Sequence, residues 1–176
     1  MNKAAAARNI EVLASSGRRP EAARQLLGAW RGHSVTVDEL KTLLADIWLY
    51  LDPPVAPYGP LAVAEWLELF GATGFFMQGP PIQVVDHERW VLYRAAPEDR
   101  ARSMSWCTSR VMAERFIPRQ DRFGAYRLWT ATLDRSAVLA VLYRPSDGTW
   151  DASGEVAREV VVDPAGIGEL IVVGPG

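Results

Sequence analysis

The chain changes texture once, at Gly79-Pro80-Pro81, and that change limits its fold more than any other feature. Before it, apolar residues recur every three or four positions; after it come short runs rich in valine, tyrosine and tryptophan. Helices first and strands afterwards predict an α+β architecture rather than alternating βαβ units around a parallel sheet. The expected division is a helical N-terminal segment over residues 1–78 and a β-rich core over 79–176. At 176 residues, this is one compact domain or a domain with a helical extension.

Within the first part, Ala4 to Leu13 reads as a helix stopped by Ser15-Ser16-Gly17. Pro20 then sits in a first turn, with Leu26, Leu27 and Trp30 on one face before Gly32. Thr36 and Glu39 form a capping-box pattern ahead of Leu40, Leu43, Leu44, Ile47, Trp48 and Leu51, and Asp52-Pro53-Pro54 ends that helix. A fourth helix is expected from Leu61 to Phe70, with Trp66 and Leu69 turned inward. Strands are expected at Trp90 to Tyr93, Ala125 to Leu133, Val138 to Tyr143, Val156 to Val162 and Leu170 to Val173. Ser105 to Ser109 reads as a further short strand, leading into a helix over Arg110 to Phe116 that Thr108 or Ser109 would cap.

Charge and cysteine content narrow the function classes. The formal net charge is −2, so no general attraction to nucleic acid or anionic membrane is expected, and any anion site must be local. Leu61 to Met77 is broken by Glu65, Glu68 and glycines, which argues against a membrane span, and the absence of a basic-plus-apolar leader predicts a cytoplasmic protein. Cys107 has no partner for a disulfide and reads as a buried, inert thiol. His33, His87 and Cys107 are too widely spaced for a structural zinc site, and neither histidine has a partner for a catalytic dyad.

The arginines are uneven. Between Arg94 and Arg135 nine arginines stand against five acidic residues, which suits either a phosphate-bearing ligand or a solvated basic face. Arg94 ends the run Trp90-Val91-Leu92-Tyr93, where a charge is either at a wet edge or held for a ligand. Glu159 opens the very apolar run Val160-Val161-Val162; it is either an edge charge that discourages aggregation or a carboxylate set to face a cation.

Four pieces in order, Val91-Leu92-Tyr93-Arg94, then Met104 to Ser109 with Val111 to Phe116, then Ala137 to Ala140, and Arg158 to Pro164, resemble the ADP-ribosyltransferase fold in its arginine–serine–glutamate class. The resemblance covers residues 89–164 and implies a split, mostly antiparallel sheet with NAD as co-substrate. By it, Arg94 would bind the phosphates and ribose of NAD, Ser105 the nicotinamide-side ribose and its strand, and Glu159 the ribose 2′-hydroxyl and the oxocarbenium-like cation. Thr108 belongs to the same strand motif, and Trp106, Phe116 and Tyr126 are aromatic candidates for stacking nicotinamide, with core packing as the alternative for each.

The chain also departs from that pattern. Ala95 stands where the family has glycine, and Ala157 stands where arginine-modifying members carry a glutamate or glutamine. Glu155 would substitute only if its loop bulged. The resemblance therefore implies a mono-ADP-ribosyltransferase acting on a non-arginine acceptor, whether nucleic acid, another protein side chain or a small molecule, in the manner of a toxin or phage-encoded host modifier. NAD hydrolysis with water as acceptor uses the same residues, and a non-catalytic binding module on the same scaffold is the reading from a different class. Residues Pro145 to Gly154, with Trp150, are read as either a recognition loop or an ordinary long turn.

Overall fold

A computed structural model describes residues 3–51, 54–55, 57–79, 88–117, 125–143 and 158–173. The chain divides between Phe76 and Met77 into two units. The expected division lay two residues later.

The first unit holds four helices among its described residues: α1 (Lys3–Ser15), α2 (Arg19–Arg31), α3 (Val37–Leu49) and α4 (Val63–Thr73). Their buried faces follow the apolar spacing: Ile10 and Leu13, then Leu26 and Leu27, then Leu40, Leu44, Ile47 and Trp48, then Trp66, Leu69 and Phe70. The capping box at Thr36 forms in both directions. Thr36 N–H donates to Glu39 Oε2 at 2.8 Å, and Glu39 N–H donates to Thr36 Oγ1 at 3.3 Å. At α4 only half of that device is available because Ala62 has no acceptor, yet its N–H still donates to Glu65 Oε2 at 2.8 Å. Trp48 meets Trp66 and Phe70 edge-on, with centroid separations of 4.9 and 5.2 Å, the arrangement aromatic quadrupoles favour. Thr73, whose hydroxyl donates to Phe70 O at 2.8 Å, and Gly74 at φ 63° end the helix three residues beyond the expected Phe70.

Among the described residues, the second unit together with Phe76 carries a seven-stranded open sheet in the order β1-β5-β6-β3-β2-β4-β7. The strands are β1 (Phe76–Gln78), β2 (Arg89–Ala96), β3 (Ser105–Cys107), β4 (Arg127–Asp134), β5 (Val138–Tyr143), β6 (Arg158–Val162) and β7 (Ile171–Val173). Pairing from β5 through to β7 is antiparallel at every step. The α+β expectation is thus met, and edge strand β1 is an addition to it. The short helix α5 (Arg110–Glu114) lies between β3 and β4 and is capped by Ser109, whose Oγ accepts from Met112 N–H at 3.4 Å. One sheet face supplies the core, where Trp90, Leu92, Trp106, Trp129, Leu133, Val141, Val160 and Val162 pack together. No helix of the described residues is long and apolar enough to cross a membrane.

Candidate active site at the junction of β2, β3 and β6

Strand β3 is short, and its two neighbours hold it unequally. Against β6 it pairs at Ser105↔Val161, Trp106↔Val160 and Cys107↔Glu159, whereas against β2 the pairing is the single position Tyr93↔Cys107. Side chains alternate along a strand, and directly paired residues share a face. Ser105, Cys107 and Glu159 therefore lie on one face, and Trp106 and Val160 on the other.

On the first face Ser105 Oγ donates to Glu159 Oε1 at 2.9 Å. The bond joins residues 54 apart in sequence. Where the β2–β3 ladder stops, Ser105 O lacks a strand partner on that side, and the guanidinium of Arg94 takes the place: Nη1 donates to Ser105 O. Arg94 Nε donates to Arg100 O at 3.3 Å, which draws the turn after β2 into the same cluster.

Burial lowers the proton affinity of Arg94 to about 10; Glu159 and then Tyr126 oppose that loss, and Arg100 adds to it. The guanidinium stays charged at neutral pH, within electrostatic range of the Glu159 carboxylate and the Tyr126 phenol. A desolvated cation within electrostatic range of a carboxylate suits a ligand that carries both an anionic group and a hydroxyl.

The other sequence-derived candidates divide. Thr108 continues the β3–β6 pairing beyond β3, because its N–H donates to Arg158 O at 3.1 Å and its Oγ1 accepts from Arg158 N–H at 3.2 Å. It pins the backbone next to Glu159, while Ser109 caps α5. Tyr126 lies near Arg94, as described. Phe116 is half-buried in the turn after α5. Trp106 is corrected: it is 2% exposed, packs into the core, and donates its indole N–H to Ser103 O at 2.8 Å. Strand alternation turns it away from Ser105 and Glu159, and its burial leaves no ring face for a ligand. Cys107, expected to be buried, is half-buried on the Glu159 face.

Much of the arginine cluster is spent on the fold. Arg102 donates to Ile167 O and Gly168 O, Arg135 to Val138 O, and Arg110 and Arg127 pair with Glu114 and Glu98 at 2.8 and 3.4 Å. Arg158, which sequence reasoning passed over, is 4% exposed, lies over the Tyr143 ring at 5.6 Å and is lowered in proton affinity by burial. Its place beside Glu159 on the opposite face of a valine-rich strand was the available signal. Arg119, Arg122, His87, Pro145 to Gly154, Glu155 and Ala157 lie outside the described residues, and His33 is exposed at φ 51°. Compared with protein-family models, curated proteins and solved structures, the chain matches none.

Proposed function

We propose that the chain is a mono-ADP-ribosyltransferase that cleaves NAD and transfers ADP-ribose to an acceptor other than arginine. The observation that carries this reading is the convergence of Arg94, Ser105 and Glu159, three residues from three strands, with Ser105 Oγ on Glu159 Oε1 at 2.9 Å and Arg94 on the Ser105 carbonyl. The sheet, with its single-pair contact between β2 and β3, supports an ADP-ribosyltransferase type of split core.

The residues present fit NAD, which supplies a glycosidic bond to a positively charged nicotinamide. Arg94 offers a guanidinium to the pyrophosphate, where a planar fork matches phosphate oxygens. Glu159 accepts from the ribose 2′-hydroxyl and stabilises the positive charge that develops on the ribose as the C1′–N bond breaks. The bonding pair leaves with nicotinamide, which departs neutral, and an acceptor nucleophile then bonds C1′ and releases its proton. Ser105 is a positioning residue, since its hydrogen bond orients the carboxylate. Ala157 leaves no carboxylate two residues before Glu159 to orient and deprotonate a guanidinium, which favours a nucleic acid, another protein side chain or a small molecule as acceptor.

The test is nicotinamide release from NAD by the purified chain, with and without cell lysate or nucleic acid, alongside Glu159→Gln. Glutamine keeps an acceptor for Ser105 and removes the charge, so release should fall by about 100-fold or more while the fold is retained. Release that depends on an added fraction identifies a transferase, and release without one identifies an NAD glycohydrolase. An unchanged rate in Glu159→Gln overturns the site, and no release with no NAD binding overturns the function.

A further inference from the structure

The helical unit has a cleft of its own, of about 370 Å³, lined in part by Arg19, Arg24, Tyr50, Tyr58 and Gly59. The volume is within the range of small-ligand sites, roughly 300–1,000 Å³. Arg18 pairs with Glu21 and Arg31 with Glu68, but no carboxylate of the described residues pairs with Arg19 or Arg24. The Arg19 guanidinium lies over the Tyr50 ring at 4.6 Å, and its Nε is buried with no hydrogen-bond partner. An oxyanion is the acceptor a guanidinium accommodates best. The positive end of α2 lies at the same place, since Arg19 and Pro20 open that helix and no side chain caps it.

The cleft wall is also built rather than incidental. Gly59 N–H donates to Val55 O at 2.8 Å, and a Cβ on Gly59 would lie 2.3 Å from the Pro54 backbone. Trp66 Nε1 donates to Pro54 O at 2.9 Å, fastening that turn to α4. The turn presents the Tyr58 ring, 56% exposed, and Tyr50 is 41% exposed. Cations with aromatic faces in a fixed setting match a phosphate joined to a flat base.

We infer that this cleft binds a nucleoside phosphate, either as a free nucleotide or as the phosphorylated end of a single-stranded nucleic acid. The inference stands on the helical unit alone and does not depend on NAD chemistry in the sheet unit.

The test titrates the full chain with three probes by calorimetry: inorganic phosphate, adenosine 5′-monophosphate and a 5′-phosphorylated single-stranded hexanucleotide. Arg19→Ala, and the exposed Arg24→Ala that leaves the fold untouched, should each weaken nucleotide binding by about tenfold or more. Tyr58→Ala should weaken it several-fold. A hexanucleotide bound at least about tenfold more tightly than the mononucleotide identifies a nucleic-acid end, and equal binding identifies a free nucleotide. Inorganic phosphate binding as tightly as either nucleotide, binding lost in Arg94→Met but kept in Arg19→Ala and Arg24→Ala, or no binding of any probe at millimolar concentration would each overturn the inference.

Discussion

Replacing Arg94 by methionine separates what its guanidinium does for the fold from what it does for a ligand. Its proton affinity in the folded chain falls from the ordinary guanidinium value to about 10, mainly through burial. A lowering of that size corresponds to roughly 3 kcal/mol for holding the charge in the fold at neutral pH. Methionine removes that cost and keeps most of the apolar stem. Against this, Ser105 O and Arg100 O lose their guanidinium donors, which costs about 1–3 kcal/mol in all.

The two effects nearly cancel, so the unfolding free energy of Arg94→Met should lie within about 2 kcal/mol of the parent. NAD affinity should fall by about tenfold or more. The sign with pH is fixed by the direction of the shift. The folded state holds fewer protons than the unfolded state above about pH 10, so the stability carried by Arg94 rises with pH from there and is constant below it. Urea melts at pH 7.5 and NAD titrations on the same preparations measure both quantities. A destabilisation well above about 3 kcal/mol would refute the desolvation argument by making Arg94 a structural keystone. Unchanged NAD affinity would refute its role toward the ligand.

Two further substitutions test the same site from its edges. Ser105→Ala removes the donor that orients Glu159; kcat for nicotinamide release should fall by about tenfold with KM for NAD little changed, and a rate restored by Ser105→Thr separates orientation from packing. Trp106→Phe should leave KM for NAD unchanged while lowering stability by about 1–3 kcal/mol, because the indole packs in the core and its N–H serves Ser103 O; a raised KM would return Trp106 to the ligand site.

What was legible in the sequence follows from the range of the interactions. The capping box at Thr36 and Glu39, the inward Trp66 and Leu69, and the strand at Val138 to Tyr143 are set by residues a few positions apart, and each formed as its local pattern indicates. Trp106 shows the limit. Its composition allowed either a stacking surface or a core residue, and only the pairing of Cys107 with Glu159 decides which face it occupies. Strand β1 escaped notice because Phe76–Gln78 is three residues long and follows a helix with only Gly74 and Phe75 between them. The hydroxyl assignments depended on distance in the same way: Ser109 caps α5 by a local rule, whereas Thr108 turns to Arg158, fifty residues away.

The place where the β2–β3 ladder stops explains why Arg94 serves fold and site together. Backbone carbonyls at the end of a ladder need donors from elsewhere, and a strand of three residues offers few. Arg94 satisfies Ser105 O with Nη1 and Arg100 O with Nε. A guanidinium has five N–H groups, so those two bonds hold its plane and leave the remaining hydrogens for further acceptors. Lysine, with its donors on one rotating nitrogen, would have to choose between the carbonyls and the ligand. The same geometry brings Glu159 within reach of Ser105, because the register that leaves β2 after Tyr93↔Cys107 keeps β6 paired with β3 through Cys107↔Glu159. A longer β2–β3 ladder would supply Ser105 O with a strand N–H and take that bond from the guanidinium. The short pairing is therefore what lets Arg94, two residues before the end of β2, reach the Ser105 carbonyl and hold a fixed cation within electrostatic range of Glu159.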